Sequence, residues 1–244
     1  MIKRILWIIP VILVLLVAAF IIWGNSPAKP EAAAFESLQS NAQVNVVQSS
    51  AWISFIPVDG HTTPALIFYP GGRVDYRAYA PLLNAIAEKG TPIYLVKMPL
   101  NLAVFGINKA DQVIQANPQY SQWAIGGHSL GGAMAANYAR NNPDEIDAMI
   151  LWASYPAESD DFSTTNLSVL SISGTLDGLS TPEKIQASAI LLPTSTVWEK
   201  IEGGNHAQFG SYGAQPGDNP PGISEADQQK RIIEATSMFL SNLP

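Results

Sequence analysis

A mostly parallel α/β sheet with helices on both faces is the fold class this sequence predicts. Three observations predict it. Strand-like and helix-like patterns alternate along roughly 200 residues, the rhythm of a layered α/β domain. Several strand segments are continuous apolar runs, such as Pro64-Ala65-Leu66-Ile67-Phe68-Tyr69, which suits strands covered on both sides. A tight turn, Gly127-His128-Ser129-Leu130-Gly131, joins one apolar run to a helical pattern of small residues.

The elements follow in order. An alternating pattern begins near Val44, Ala51-Trp52-Ile53-Ser54-Phe55-Ile56-Pro57 reads as a strand, and Asp59-Gly60 as a turn. The buried strand ending at Tyr69 is stopped by Pro70-Gly71-Gly72. Helical spacing over 76–89 puts Tyr79, Leu82, Leu83 and Ile86 on one side, and Gly90 ends it. Strands are expected at 92–97, 122–126, 148–152, 167–172 and 196–201. Helices are expected at 107–116, 130–141, 182–190 and 224–240, the last with Ile232, Ile233, Met238, Phe239 and Leu240 as apolar members. The longest irregular segment is 207–223. Neither a fixed-period repeat nor an insertion large enough for a cap domain is present.

The 244-residue chain carries no cysteine and a formal charge of −7. Thiolate catalysis, disulfides and thiolate metal sites are excluded. The acidic balance argues against nucleic acid as a partner, since phosphate binding needs clustered Lys and Arg. At the N-terminus, Lys3 and Arg4 precede 19 uncharged residues, Ile5 to Trp23, about 28 Å as a helix and close to the hydrocarbon thickness of a bilayer. Trp7 and Trp23 flank it as interface aromatics do. Residues 1–24 therefore read as a transmembrane signal anchor, N-terminus inside, with the catalytic domain extracytoplasmic. A cleaved signal peptide with secretion is the alternative, and a buried N-terminal core helix the plain one. Residues 25–43, with Pro27 and Pro30, read as a tether, and 44–244 as the catalytic domain.

The turn at Ser129 carries chemistry. In a strand–turn–helix context, Gly-x-Ser-x-Gly is a nucleophile elbow that exposes a serine at the head of a helix. A serine hydroxyl attacks only when a base takes its proton. Of three histidines, His61 reads as an ordinary surface residue, and His128 as shaping the turn or pocket with its side chain away from the serine. His206, in Gly203-Gly204-Asn205-His206, is the expected base, because it alone fits the chain order serine, acid, histidine. Asp177, in Ser173-Gly174-Thr175-Leu176-Asp177-Gly178, is the expected acid. Asp160 and Asp161 are rivals in what reads as a solvated acidic loop. The N–H of Leu130 and that of Gly72 or Gly71 are the expected oxyanion donors. Met98, Leu100, Tyr155 and Tyr212 are expected around the pocket. The apolar 98–105 loop is equally an acyl wall, a short lid or simple packing. Arg73 faces either substrate or solvent, and Tyr212 and Asp218 are weaker hydrogen-bonding candidates beside the base.

On these residues the chain resembles the α/β-hydrolase superfamily, and within it the small capless bacterial hydrolases near the dienelactone-hydrolase and esterase branches. The resemblance spans residues 51–240 and implies a serine esterase, with Ser129, Asp177 and His206 matching nucleophile, acid and base. Two departures stand out. Pro70-Gly71-Gly72 lacks the histidine that often opens the oxyanion loop, and the nucleophile is serine where dienelactone hydrolases commonly use cysteine. The expected reaction is hydrolysis of a small-molecule ester or acyl substrate through an acyl-enzyme, with no cofactor and no metal. A thioesterase or acyltransferase with the same triad is one alternative. A non-catalytic, membrane-anchored binding module of the same fold is another. A peptidase is disfavoured by the lack of a cap or propeller.

Overall fold

The computed structural model describes residues 2–60 and 64–243, the side chains of residues 2–8 excepted. His61 and the side chains of Lys3, Arg4 and Trp7 therefore lie outside the described residues. Eight strands form one sheet in the order β1-β2-β4-β3-β5-β6-β7-β8. They are β1 (Val44–Gln48), β2 (Trp52–Pro57), β3 (Ala65–Tyr69), β4 (Ile93–Val96), β5 (Trp123–His128), β6 (Ala148–Trp152), β7 (Ser168–Gly174) and β8 (Val197–Ile201). Pairing is antiparallel for β1 with β2 and β2 with β4. Every other neighbour is parallel.

The continuous apolar runs have the expected cause. Along β3, Leu66 and Phe68 enter the core on one face of the sheet, and Ala65, Ile67 and Tyr69 the core on the other. The first core is closed by α3 (Ala80–Ala87) and α7 (Glu225–Ser241). The second is closed by α4 (Lys109–Ala116) and α5 (Leu130–Asn141). A short α6 (Pro182–Ser188) follows β7. Proline begins α3 and α6 within their first turns, where a missing N–H costs nothing. Ser224 caps α7, its hydroxyl accepting from the Asp227 N–H. In α7, Ile232 and Leu240 are buried, whereas Met238, expected among the apolar members, is exposed.

The close fit of α5 to the sheet depends on small residues. Gly131, Gly132, Ala135, Ala136 and Ala139 are all buried. A Cβ at Gly131 would run into the carbonyl oxygens of Tyr69 and Pro70 at the end of β3. Those oxygens belong to backbone that cannot retreat without moving β3.

The N-terminal region differs from a free tether. α1 (Ile2–Gly24) is followed by α2 (Ala32–Glu36), and Ala34 and Leu38 are buried against the domain. The Glu31 N–H donates to Ser211 O (2.9 Å), and Ala28 bridges Val74 in a parallel register. Side chains from Ile9 to Trp23 are exposed. Among the described residues, which leave out the side chains of 2–8 within the expected 1–24 span, no helix is long and apolar enough to cross a membrane.

Replacing Gly131 by Ala is expected to lower the unfolding free energy by about 2 kcal/mol or more through backbone overlap. Urea denaturation followed by tryptophan fluorescence measures it, and an unchanged midpoint would contradict the packing described.

Candidate active site

Ser129 sits between β5 and α5 with φ 52° and ψ −124°. A non-glycine residue at positive φ is strained by about 1–3 kcal/mol unless its surroundings hold it. Two bonds hold it here. Its N–H donates to Trp152 O (3.0 Å), and the Ser154 hydroxyl donates to Ser129 O (2.7 Å). Ser154 went unread in the sequence, because nothing local distinguishes it from any serine after a strand. The strain turns the half-buried Ser129 outward at the carboxyl end of the sheet.

Asp177 and His206 meet across 29 residues of chain. His206 Nδ1 lies 2.8 Å from Asp177 Oδ2, and both side chains are fully buried. The other carboxylate oxygen accepts the N–H groups of Leu179 (2.8 Å) and Ser180 (2.7 Å). Both oxygens are thus engaged, so the imidazole is held in one orientation. His206 Nε2 is buried and without a hydrogen-bond partner. The His206 ring lies against the elbow, 4.5 Å from the His128 ring centroid to centroid.

The rival acids are elsewhere. Asp160 is buried, not solvated, and accepts from Asn137 Nδ2 (3.1 Å). Asp161 accepts the N–H of Ser163 (2.8 Å). Among the described residues, no group of three or more His, Asp and Glu is placed to hold a metal ion.

The comparisons with known proteins agree with this architecture. The model of the alpha/beta hydrolase family matches residues 65–230. The chain belongs to the α/β-hydrolase family. No curated protein matches it. Among solved structures, it is similar to a predicted CIB-like hydrolase from Thermoplasma acidophilum, with TM-score 0.58, 16% identity, and coverage of 82% of this chain and 98% of that one. It is also similar to a putative hydrolase from Agrobacterium vitis, with TM-score 0.58, 14% identity, and coverage of 82% and 100%. A third is an α/β-hydrolase enzyme from the metagenome of lagoon sediments at Mar Chica, Morocco, with TM-score 0.55, 16% identity, and coverage of 67% and 90%. At these identities the likeness is one of fold.

In this α/β hydrolase the two candidate oxyanion glycines separate. The Gly71 N–H donates to the Tyr79 hydroxyl (3.0 Å), and that hydroxyl lies 2.8 Å from His128 Nδ1. A Cβ at Gly71 would fall 2.7 Å from both of those groups. Gly71 is therefore committed to a buried chain of hydrogen bonds and corrected as an oxyanion donor. Gly72 lies against Leu130, 3.0 Å from its Cδ2 at the nearest approach of an added Cβ. The N–H of Leu130 opens α5, where no intrahelical acceptor exists. Gly72 and Leu130 are left as the candidate pair of donors.

The pocket expectations fare unevenly. Met98 is buried in the core beside α4. Leu100 meets Gly24 at the end of α1, 3.0 Å from an added Cβ there. Tyr212 is buried, its hydroxyl donating to Gln215 Oε1 (2.9 Å). Tyr155 is half-buried just past β6. Arg73 faces neither substrate nor open solvent: its guanidinium lies 4.3 Å over the Trp23 ring and donates to Ser26 O (2.9 Å). The apolar side chains of 98–105 pack inward at Met98 and Ala103 but outward at Val104 and Phe105.

Two clamps hold the candidate acid and base loops, one from Asp218, already a hydrogen-bonding candidate in the sequence, and one from Gln228, which nothing local singles out. Asp218 Oδ1 accepts the Gly178 N–H (2.9 Å), and its Oδ2 accepts the Ala207 N–H (2.9 Å). Those N–H groups directly follow Asp177 and His206. Gln228, fully buried on α7, accepts the Asn205 N–H (2.9 Å) and donates to Asn205 O (2.8 Å).

His128 stacks on Phe209, with centroids 5.5 Å apart, and its Nε2 is buried without a partner. Burial, then the neighbouring His206, holds its pKa well below the usual 6.5. The unfolded chain takes up a proton on this ring near pH 6.5 while the folded protein does not. Stability is accordingly expected to be full above that pH and to fall as pH drops below it, by at most about 1.4 kcal/mol per pH unit for one proton. Unfolding free energies of the parent and His128→Gln between pH 5 and 7.5 measure the difference. Parallel curves would refute a neutral buried His128.

Proposed function

We propose that this hydrolase cleaves carboxylic esters through a Ser129–His206–Asp177 triad and an acyl-enzyme. The observation that carries the reading is the fully buried Asp177–His206 pair, 2.8 Å apart. His206 Nε2 makes no hydrogen bond, to Ser129 or to any other group, and its ring packs against that of His128, next in the chain to Ser129, which is held at positive φ. In the proposed cycle His206 Nε2 takes the Ser129 proton as the oxygen attacks the ester carbonyl. Asp177, an acceptor fixed by two backbone N–H groups, holds the imidazole and stabilises its charged form. The N–H groups of Leu130 and Gly72 receive the oxyanion. His206 protonates the departing alcohol, then takes a proton from water to release the acid and free Ser129.

We also read α1 as an anchor that holds the enzyme at a membrane, N-terminus inside and domain extracytoplasmic. The support is the charge-free run from Ile5 to Trp23 and the exposed apolar side chains of its described part.

Ser129→Ala is expected to abolish labelling by a fluorophosphonate probe and to lower ester turnover by at least about 10³-fold. Asp177→Asn should lower kcat by about 10⁴-fold with the protein still folded. Turnover that survives in Ser129→Ala sinks the mechanism. A folded parent that neither labels nor turns over any ester points instead to a binding role.

Asp218 is expected to act through its neighbours as a positioning residue. Asp218→Asn leaves one N–H, of Gly178 or Ala207, facing an amide NH₂. Misplacing the base by a fraction of an ångström costs about 10- to 100-fold in kcat, with KM and melting temperature little changed. Steady-state kinetics beside a thermal melt decide it. A loss confined to stability would make Asp218 merely structural.

A further inference from the structure

The C-terminal end of α1 is fixed to the two loops that border the Ser129 site. Asn101 Nδ2 donates to Gly24 O (2.9 Å), and Arg73 joins Ser26 and Trp23 as described. Beyond them, the Ala28 N–H donates to Arg73 O (2.8 Å), and the Asp75 N–H to Ala28 O (3.0 Å). Residues 70–74 leave the carboxyl end of β3, and 97–105 leave the carboxyl end of β4. Ser129 stands at the carboxyl end of β5 between its parallel neighbours. The helix therefore departs from the same end of the sheet on which the nucleophile opens.

The apolar surface does not stop at α1. Phe20 meets Phe105 edge-on with centroids 6.1 Å apart, and Phe105 is 51% exposed beside an exposed Val104. Leu102 then approaches Gly72, its Cδ2 3.7 Å from an added Cβ. Helix, rim and candidate oxyanion loop form one continuous path. The charge on this face is also distinctive. Although the chain carries −7 overall, residues 1–30 and 89–110 contain no Asp or Glu. Lys29 and Lys97 are exposed within them. An apolar surface edged by lysines, built largely from these carboxylate-free segments, complements hydrocarbon bounded by lipid phosphates.

We propose that α1 and the 102–105 rim are one surface that seats the mouth of the Ser129 site on a phospholipid bilayer. The ester is then a long-chain amphiphile, drawn from that bilayer past Leu102 to Gly72. The substrate half of this inference rests on the esterase reading of Ser129, whereas the seating does not.

The absence of cysteine makes the test direct. The full chain carries a single environment-sensitive fluorophore at Phe105→Cys or at Asp144→Cys. Asp144 is exposed past the far end of α5, away from Ser129. Each protein is added to vesicles of phosphatidylcholine and phosphatidylglycerol with brominated acyl chains. Quenching at position 105 and none at 144 is the expected result. A label at 105 that is unquenched while the protein floats with the vesicles overturns the seating, whether it stays wet or is covered by a second copy. Failure to float overturns it as well.

A second arm addresses the substrate. The double variant Val104→Asp, Phe105→Asp alters two outward side chains. It should lose about tenfold or more of its turnover on a long-chain ester within the vesicles, since two apolar side chains facing the bilayer are replaced by carboxylates that hydrocarbon and anionic lipid both disfavour. It should match the parent on a water-soluble short-chain ester. Equal activity on both overturns the lipid substrate. A parent inactive on either ester overturns the Ser129 reading and the substrate with it, and the quenching result still decides the seating.

Discussion

The turn at Ser129 is the constraint around which the rest of this molecule is arranged. A serine at φ 52° between a strand and a helix is unfavourable by itself. It persists because the helix behind it lies almost on the backbone of β3, a fit open only to the bare Cα of Gly131. The flanking strand β6 takes the serine's N–H through Trp152, and the residues after that strand return Ser154 to its carbonyl. A residue held this firmly cannot relax inward, so its hydroxyl stays at the carboxyl end of the sheet. The loops that reach it must then come from that same end.

Two networks meet at the turn, and they differ in kind. On one side the hydrogen-bond chain from Gly71 through Tyr79 to His128 is buried. It fixes the early loop, while burial and the neighbouring His206 keep His128 neutral. On the other side the Asp177–His206 pair is set by backbone groups, with Asp218 and Gln228 gripping the chain next to the acid and the base. The second network uses carboxylate and amide side chains as rigid spacers between loops. The two rings, His128 and His206, pack with their planes tilted by 45° where the networks touch. A neutral His128 is compatible with the proposed role of its neighbour as a proton acceptor, whereas a charged one would oppose it.

The N-terminal region extends the same logic outward. A free linker would leave the active-site face indifferent to the direction of α1. Instead, Arg73 is fixed between the Trp23 ring and the Ser26 carbonyl, and Asn101 holds Gly24. The loop that carries Gly72 therefore also carries the helix. Packing at the catalytic edge and orientation of the apolar helix are mechanically one feature.

The sequence by itself determined the layered α/β architecture, because strands buried on both faces must be apolar throughout and the helices between them must show a 3.6-residue period. It also determined the elbow, since Gly-x-Ser-x-Gly at a strand-to-helix junction is a local backbone requirement, and it singled out Asp177 and His206 by chain order and glycine context. Only the tertiary structure decided which of Gly71 and Gly72 has a free N–H, because the competing acceptor, Tyr79, lies eight residues further along the chain on another element. The same holds for the burial of Met98, the docking of residues 25–43, and the grip of Asp218 on two loops 40 and 11 residues from it. Local periodicity reports which face of an element is covered. Which polar group a buried N–H finds depends on segments brought together from distant parts of the chain, and no pattern along the chain encodes that distance.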